Sequence, residues 1–186
     1  MPRAATPRSS RRRTTTTALD VLKSDHAEVA TLFKQFERYT KSDDSEGMQQ
    51  VAQAVCKALG IHAEIEESIF YPALRNAADA DAPLDEADVE HNQIKELAAR
   101  VESALPGDEL FEARMTVLSE YVQHHVKEEE TTLFAKAREA DCDLVALGEQ
   151  LLARKSELCG GDPVEVVALT APATAAPGRK GQRASR

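Results

Sequence analysis

Four of the five histidines in this 186-residue chain stand at matching places in an internal repeat. In each half of the repeat, a lone histidine precedes the motif His-x-x-x-Glu-Glu by 34 to 36 positions, and an apolar pair follows the motif. The halves contain His26 with His62-Ala-Glu-Ile-Glu66-Glu67, and His91 with His125-Val-Lys-Glu-Glu129-Glu130. Imidazole and carboxylate groups together suit iron, manganese or zinc. The repeat therefore predicts a site for one or two divalent metal ions.

Helical spacing allows each motif to present two ligands to one metal. Residues four apart on a helix share a face, with Cβ atoms roughly 6 Å apart. A single such pair is common as an exposed ion pair in a metal-free helix, but duplication with the upstream histidines favours a buried site. An unpaired buried glutamate costs several kcal/mol or takes up a proton, so two of them require cations. The candidate ligands are His26, His62, Glu66, His91, His125 and Glu129.

The second half offers an alternative register, because His124 also has a glutamate four residues later, Glu128. His125 shares its helix face with Leu118 and Val122, whereas His124 follows the polar Glu120. We therefore expect His125 to face inward and His124 to be partly exposed or to touch the site only indirectly. The second glutamate of each motif is rotated by about 100° from the first. It is expected to orient a histidine or to face solvent.

Apolar residues recur at alternating spacings of three and four along several segments, which is typical of amphipathic helices. Thr17 and Asp20 form a pair typical of a capping box, so the first helix is expected to begin there. Further helices are predicted at about 46–77, 85–104 and 108–139, with a weaker one at 143–158. The expected inward positions include Ile69 and Pro72 in the second helix and Tyr121 in the fourth.

These segments predict an all-α fold, an antiparallel up-down-up-down four-helix bundle with a short extra C-terminal helix. We expect a disordered basic tail at 1–17, a domain at 18–158 that contains the bundle and the extra helix, and a low-complexity basic tail at 159–186. Nine of the 23 Lys and Arg residues lie in 1–17 and 166–186, which contain no acidic residue. Residues 18–165 therefore carry 14 basic against 32 acidic residues, a net charge near −18.

This acidic body argues against a specific nucleic-acid partner, because a nucleic-acid-binding domain carries a basic face. No run of about twenty apolar residues is present, so no membrane span is expected. The three cysteines match no zinc or redox spacing and favour a reduced, cytoplasmic compartment. The sequence leaves the oligomeric state open between a monomer and a small homo-oligomer.

Over about residues 18–137, the doubled motif resembles the hemerythrin-like, or HHE cation-binding, family. The resemblance implies a four-helix bundle that holds two iron ions joined by an oxo or hydroxo bridge. Carried over by position, the iron ligands would be the six candidates named above, with Glu66 and Glu129 bridging the two ions.

One departure from the family pattern concerns the oxygen-carrying hemerythrins, which have a further histidine one turn beyond the third. Here that position is Lys95. Each iron would then keep an open position, which favours reaction with, or sensing of, O₂, NO or H₂O₂ over simple oxygen carriage. Tyr121 or a water molecule is a candidate to fill the gap. Whether the protein is an enzyme that decomposes peroxide stays open, and the alternative is an iron-storage or iron-sensing module without turnover.

Overall fold

The computed structural model describes residues 15–160, and within this range the regular structure is helical. There are five helices: α1 (Ala18–Lys41), α2 (residues 45–77), α3 (Asp81–Glu102), α4 (residues 111–139) and α5 (Leu144–Leu158). The predicted tails lie outside the described residues except for 15–17 and 159–160. None of the helices described is both long enough and apolar enough to cross a membrane.

The first four helices close into a bundle. α1 packs against α2 and α4, and α3 packs against the same two helices from the opposite side. Short connections at 42–44, 78–80 and 103–110 join successive helices, which is the arrangement expected for antiparallel neighbours. α5 lies outside this ring and packs on α1 and α2. The predicted all-α bundle with an extra C-terminal helix is confirmed.

α1 begins with the predicted capping box. The Thr17 backbone N–H donates to Asp20 Oδ2 at 3.0 Å, and the Asp20 N–H donates to Thr17 Oγ1 at 3.3 Å. Two other helix boundaries differ from the prediction. α3 begins at Asp81 instead of 85, because Pro83 is accommodated in the first turn. α4 begins at Phe111 instead of 108.

Both motif-bearing helices contain a π-helical turn that begins at the first glutamate of the motif. These turns are Glu66–Phe70 in α2 and Glu129–Leu133 in α4. In α2 the N–H of Tyr71 donates to the carbonyl of Glu66, five residues earlier. Phe134 makes the equivalent bond to Glu129 in α4. Each turn accommodates one extra residue, so the inward face beyond it is shifted along the sequence.

The shift corrects part of the predicted inward face. Beyond Glu66, the buried side chains include Phe70 and Tyr71, whereas Ile69 is only half-buried and Pro72 is exposed. The prediction for these last two residues was wrong, because it continued an uninterrupted 3.6-residue period through the π turn.

The buried apolar residues form two clusters. One contains Phe36, Phe111 and Met115, and the other contains Leu22, Phe70 and Phe134. In each of the four bundle helices, the buried histidine lies between residues of one cluster and residues of the other. The core is therefore interrupted by a polar layer that crosses the middle of the bundle.

The two mid-helix glycines occupy opposite environments. A Cβ at Gly148 of α5 would lie 2.8 Å from Thr16 O and from Thr17 C, so the absent side chain allows α5 to approach the start of α1. A Cβ at Gly60 of α2 would meet nothing within 4 Å.

We predict that Gly148→Ala and Gly60→Ala change stability in opposite directions, although both raise helix propensity. Gly60→Ala should raise the free energy of unfolding by about 1 kcal/mol, the propensity difference between glycine and alanine. Gly148→Ala should lower it by about 1 to 3 kcal/mol, because the methyl group overlaps backbone atoms. Urea denaturation of the two variants and the wild type measures both changes in the free energy of unfolding. A stabilised Gly148→Ala protein would contradict the tight contact between α5 and α1.

Candidate metal centre

The structure brings all six candidate ligands together in the polar layer, each buried. Their donor atoms form two groups, within each of which all atoms lie within 4.8 Å of one another. We call these group A and group B. Group A consists of His26, His62, Glu66 and Glu129. Group B consists of Glu66, His91 and His125. Glu66 belongs to both groups, whereas Glu129 is assigned to group A alone.

The donor atoms of each group converge on one point. In group A, the Nε2 atoms of His26 and His62 are 3.1 Å apart. In group B, those of His91 and His125 are 3.0 Å apart. Glu66 Oε2 lies 3.2 Å from His62 Nε2 and 3.4 Å from His91 Nε2. This oxygen therefore lies between the two groups, where a bridging carboxylate would be needed.

Each histidine directs its other ring nitrogen, Nδ1, toward a carboxylate. Three of these contacts are hydrogen bonds of 2.8 to 2.9 Å, from His26 to Glu130, His91 to Glu67 and His125 to Glu90. The fourth is longer, with His62 Nδ1 3.7 Å from Asp25 Oδ2. The second glutamate of each motif thus orients a histidine of another helix, which is the first of the two expected roles.

These outer carboxylates determine which ring nitrogen is free to bind a metal. A carboxylate only accepts hydrogen bonds, so the Nδ1 it contacts carries the proton and Nε2 keeps its lone pair. Two unprotonated Nε2 atoms about 3 Å apart repel each other. A cation between them removes the repulsion, and the geometry of both groups is therefore suited to metal binding.

The buried carboxylates also require a cation. Glu66 is 0 % and Glu129 is 1 % exposed. None of their four carboxylate oxygens has a hydrogen-bond partner among the described residues. Burial and the neighbouring Glu129 carboxylate raise the pKa of Glu66 well above its usual value. Neutral imidazoles and carboxylates form a donor set that iron, manganese and zinc accept, so the residues fit the metal that the sequence implies.

Two of the four buried histidines are poised as neutral ligands, whereas the pKa of His26 is raised, because the effect of burial is outweighed by the Glu129 and Glu130 carboxylates. Burial and the neighbouring His125 lower the pKa of His91 to about 4. Burial likewise lowers the pKa of His62. Both rings are therefore uncharged near neutral pH, which is the form that binds a metal.

The alternative register of the second motif, His124 with Glu128, does not face the interior of the bundle. His125 is buried, whereas the side chain of His124 is 62 % exposed and contacts Glu128 at 3.2 Å.

Lys95, at the position of the further histidine of the oxygen carriers, contacts an outer carboxylate instead of the donor atoms. Its Nζ donates to both oxygens of Glu67 at 2.5 and 2.6 Å, and Glu67 in turn accepts from His91. Lys95 therefore neutralises a carboxylate that orients a ligand.

A tyrosine does approach the centre, but it is Tyr71 and not Tyr121. Tyr121 is 44 % exposed, so the prediction that it is an inward residue was wrong. The Tyr71 hydroxyl is buried 3.3 Å from His91 Nε2. Burial and the charge of Glu66 raise its pKa, so the hydroxyl keeps its proton. The sequence signal was its place beside Phe70 after the first motif, where the second half has Phe134.

A cavity of about 180 Å³ connects this layer with the surface between α2 and α3. All four buried histidines line its inner end. Apolar residues form much of its wall, among them Leu59, Ile94 and Val122. Gly60 and Ala99, both exposed, lie at its outer end. Small molecules can thus approach the histidines of both groups, whereas Glu66 and Glu129 do not line the cavity.

A bundle with this layer is a metal-binding helical protein of the kind in which histidines and glutamates of facing helices share one centre. Residues 17–137 match the family described as the hemerythrin HHE cation binding domain. The chain belongs to this family and is a metal-binding, hemerythrin-like protein.

Two relatives extend the comparison. A DNA nickase from Nostoc sp. is 32% identical over 119 residues, which are 64% of this chain and 33% of the nickase. The chain thus spans one third of the length of that relative. A crystal structure of a hemerythrin HHE cation binding domain-containing protein from Mycobacterium kansasii superposes with a TM-score of 0.66 and 24% identity. It covers 83% of this chain and 97% of the neighbour, and it shows the same fold.

We predict that Glu66→Gln stabilises the metal-free protein while abolishing its ability to hold metal in both groups. The raised pKa of Glu66 means that folding favours its protonated form, so wild-type stability is lost as pH rises above the usual value of 4.5. Glutamine does not ionise. The stability advantage of the variant should therefore grow as the pH rises above 4.5, by at most about 1.4 kcal/mol per pH unit. Urea denaturation of both metal-free proteins measures it, and an advantage independent of pH would contradict the prediction.

Proposed function

We propose that the six residues of groups A and B hold a pair of iron ions and that the protein reacts with, or senses, a small oxidant: O₂, NO or H₂O₂. The observation that carries this proposal is the cavity, which leads from the surface to the histidines of both groups. A site used only for structure has no need of such an entrance. When bound, iron supplies Lewis acidity and electron transfer.

The roles of the protein follow from the contacts already described. Glu67, Glu90 and Glu130 keep the Nδ1 proton of three histidines in place and thereby direct Nε2 to the metal. Glu66 lies where it can hold both ions together. The Tyr71 hydroxyl, beside His91 Nε2, is placed to donate a hydrogen bond to a small molecule in group B. The apolar cavity wall favours small, weakly hydrated molecules.

An iron-sensing module without turnover is the second candidate function. The observation that favours it is the set of buried, unpaired carboxylate oxygens of Glu66 and Glu129. Unpaired buried groups destabilise the metal-free fold, so metal binding is coupled to stability. A partner would then respond to iron occupancy through the change in folding that it causes.

We propose no nucleic-acid partner, although one relative is a DNA nickase. Residues 18–165 carry a net charge near −18, from 14 basic and 32 acidic residues, and phosphate backbones bind to basic surfaces.

We further propose that residues 18–158 form one functional unit that includes α5, because this helix packs directly on α1 and α2.

We predict that the protein purified from iron-replete cells contains two irons per chain and that its oxidised form shows the near-ultraviolet charge-transfer bands of a bridged iron pair. The reduced protein should lack these bands, and rapid mixing with H₂O₂, O₂ or NO should produce a new absorption. Oxygen evolution with repeated turnover would make the protein a peroxide-decomposing enzyme. A single stoichiometric change would make it a sensor or carrier. Zinc in place of iron would contradict the proposal.

We predict that Gly60→Leu slows the reaction with oxidants without removing metal. A leucine side chain at this position extends into open space at the outer end of the cavity and narrows it. The rate of the spectral change should fall at least several-fold, while iron content stays at the wild-type level. Gln53→Leu is the matched control, because it adds the same side chain at an exposed position of α2 away from the cavity. Equal rates in both variants would mean that oxidants enter by another route.

A further inference from the structure

α5 follows the residues that match the family, yet it sends a charged side chain to the edge of the metal centre. Lys155 Nζ donates to Asp25 Oδ1 in a short contact. The side chains are 18 % and 7 % exposed, respectively. A largely buried ammonium and a buried carboxylate are therefore paired across 130 residues of sequence.

Asp25 directs its other oxygen toward a candidate ligand. Its Oδ2 lies 3.7 Å from His62 Nδ1. Within residues 15–160, neither of these buried atoms has a hydrogen-bond partner. The other three histidines already have carboxylates at 2.8 to 2.9 Å. His62 is thus the one ligand whose orienting carboxylate is held by a residue outside the bundle.

Packing contacts along its length hold α5 against the bundle. Gly148 allows close contact with the start of α1, and Leu151 is fully buried in the same apolar cluster as Leu22. Arg154 donates to Glu64 of α2 at 2.7 Å. These contacts fix the helix, and hence the stem of Lys155, against the two helices that carry His26 and His62.

We infer that Lys155 is a positioning residue for group A: it holds the Asp25 carboxylate so that Oδ2 faces Nδ1 of His62 at 3.7 Å. The negative charge at that distance favours the proton on Nδ1 and leaves His62 Nε2 free for the metal. The inference rests on the proposed metal centre and adds that α5 controls one of its two groups. Without Lys155, the Asp25 carboxylate is free to turn away from His62. Loss of such an orienting partner typically weakens metal binding about 10- to 100-fold.

The test is a titration of metal-free protein with Co²⁺, followed by its visible absorption bands. We expect wild type to bind two Co²⁺ per chain. Lys155→Gln should weaken one of the two binding steps about 10- to 100-fold and leave the other unchanged. Lys155→Arg should restore the weakened step, because it keeps a cation in place. General damage to the fold would weaken both steps.

Arg154→Gln is the matched control, because it removes a cation from the adjacent position of α5 that pairs with Glu64 instead. It should leave both binding steps unchanged. Asp25→Asn provides a second route if Lys155→Gln does not fold, and it should weaken the same single step. The double variant Asp25→Asn with Lys155→Gln should bind no worse than Asp25→Asn alone, because both changes remove one interaction.

The outcomes separate the two proposals. Fewer than two Co²⁺ in wild type would overturn the metal centre and the inference that rests on it. Two ions in wild type, with Lys155→Gln binding both normally, would overturn the role of Lys155 alone. Additive losses in the double variant would also overturn it, since Lys155 would then act independently of Asp25.

Discussion

The repulsion among buried donor atoms is the constraint on which the structure depends. Four imidazoles and two carboxylates lie in the middle of an otherwise apolar bundle, with Nε2 atoms 3.0 to 3.1 Å apart within each group and carboxylate oxygens that accept no hydrogen bond among the described residues. Burial of this kind is unfavourable unless a cation is present. The apolar clusters on both sides must therefore supply enough stability to hold a layer that, by itself, opposes folding.

The π turns allow the glutamate of each motif and the apolar residues that follow it to be buried on the same side of the helix. A glutamate at the start of a π turn keeps its inward position, while the extra residue lets the apolar pair that follows also face the interior. In α2 this places both Phe70 and Tyr71 in the core directly beyond Glu66. π turns carry poorer helical geometry and are common at functional sites. The turns occur at the same place in both motifs, so they belong to the centre and are not local irregularities.

The bundle and the convergence of the six candidate residues could be predicted from the sequence. The helical period of the apolar residues and the duplication of the motif are both visible in it. The phase that favoured His125 over His124 agrees with their burial. The π turns could not be predicted, since an inserted residue leaves no compositional mark, and the errors at Ile69 and Pro72 follow from that. The pairing of Asp25 with Lys155 was also out of reach. Both are ordinary charged residues of separate helices, and only the docking of α5 brings them together.

The cavity between α2 and α3 has a consequence for the directions from which the buried histidines can be approached. Its volume of about 180 Å³ has room for small molecules, and all four buried histidines line it. A small solute can therefore approach the four histidines from the cavity, whereas the Nδ1 side of three of them is occupied by carboxylate partners. Two of these carboxylates, Glu67 and Glu130, are themselves about one third exposed. The fold thus gives each of these three histidines two distinct sides, one that faces the cavity and one that reaches the surface only through a carboxylate.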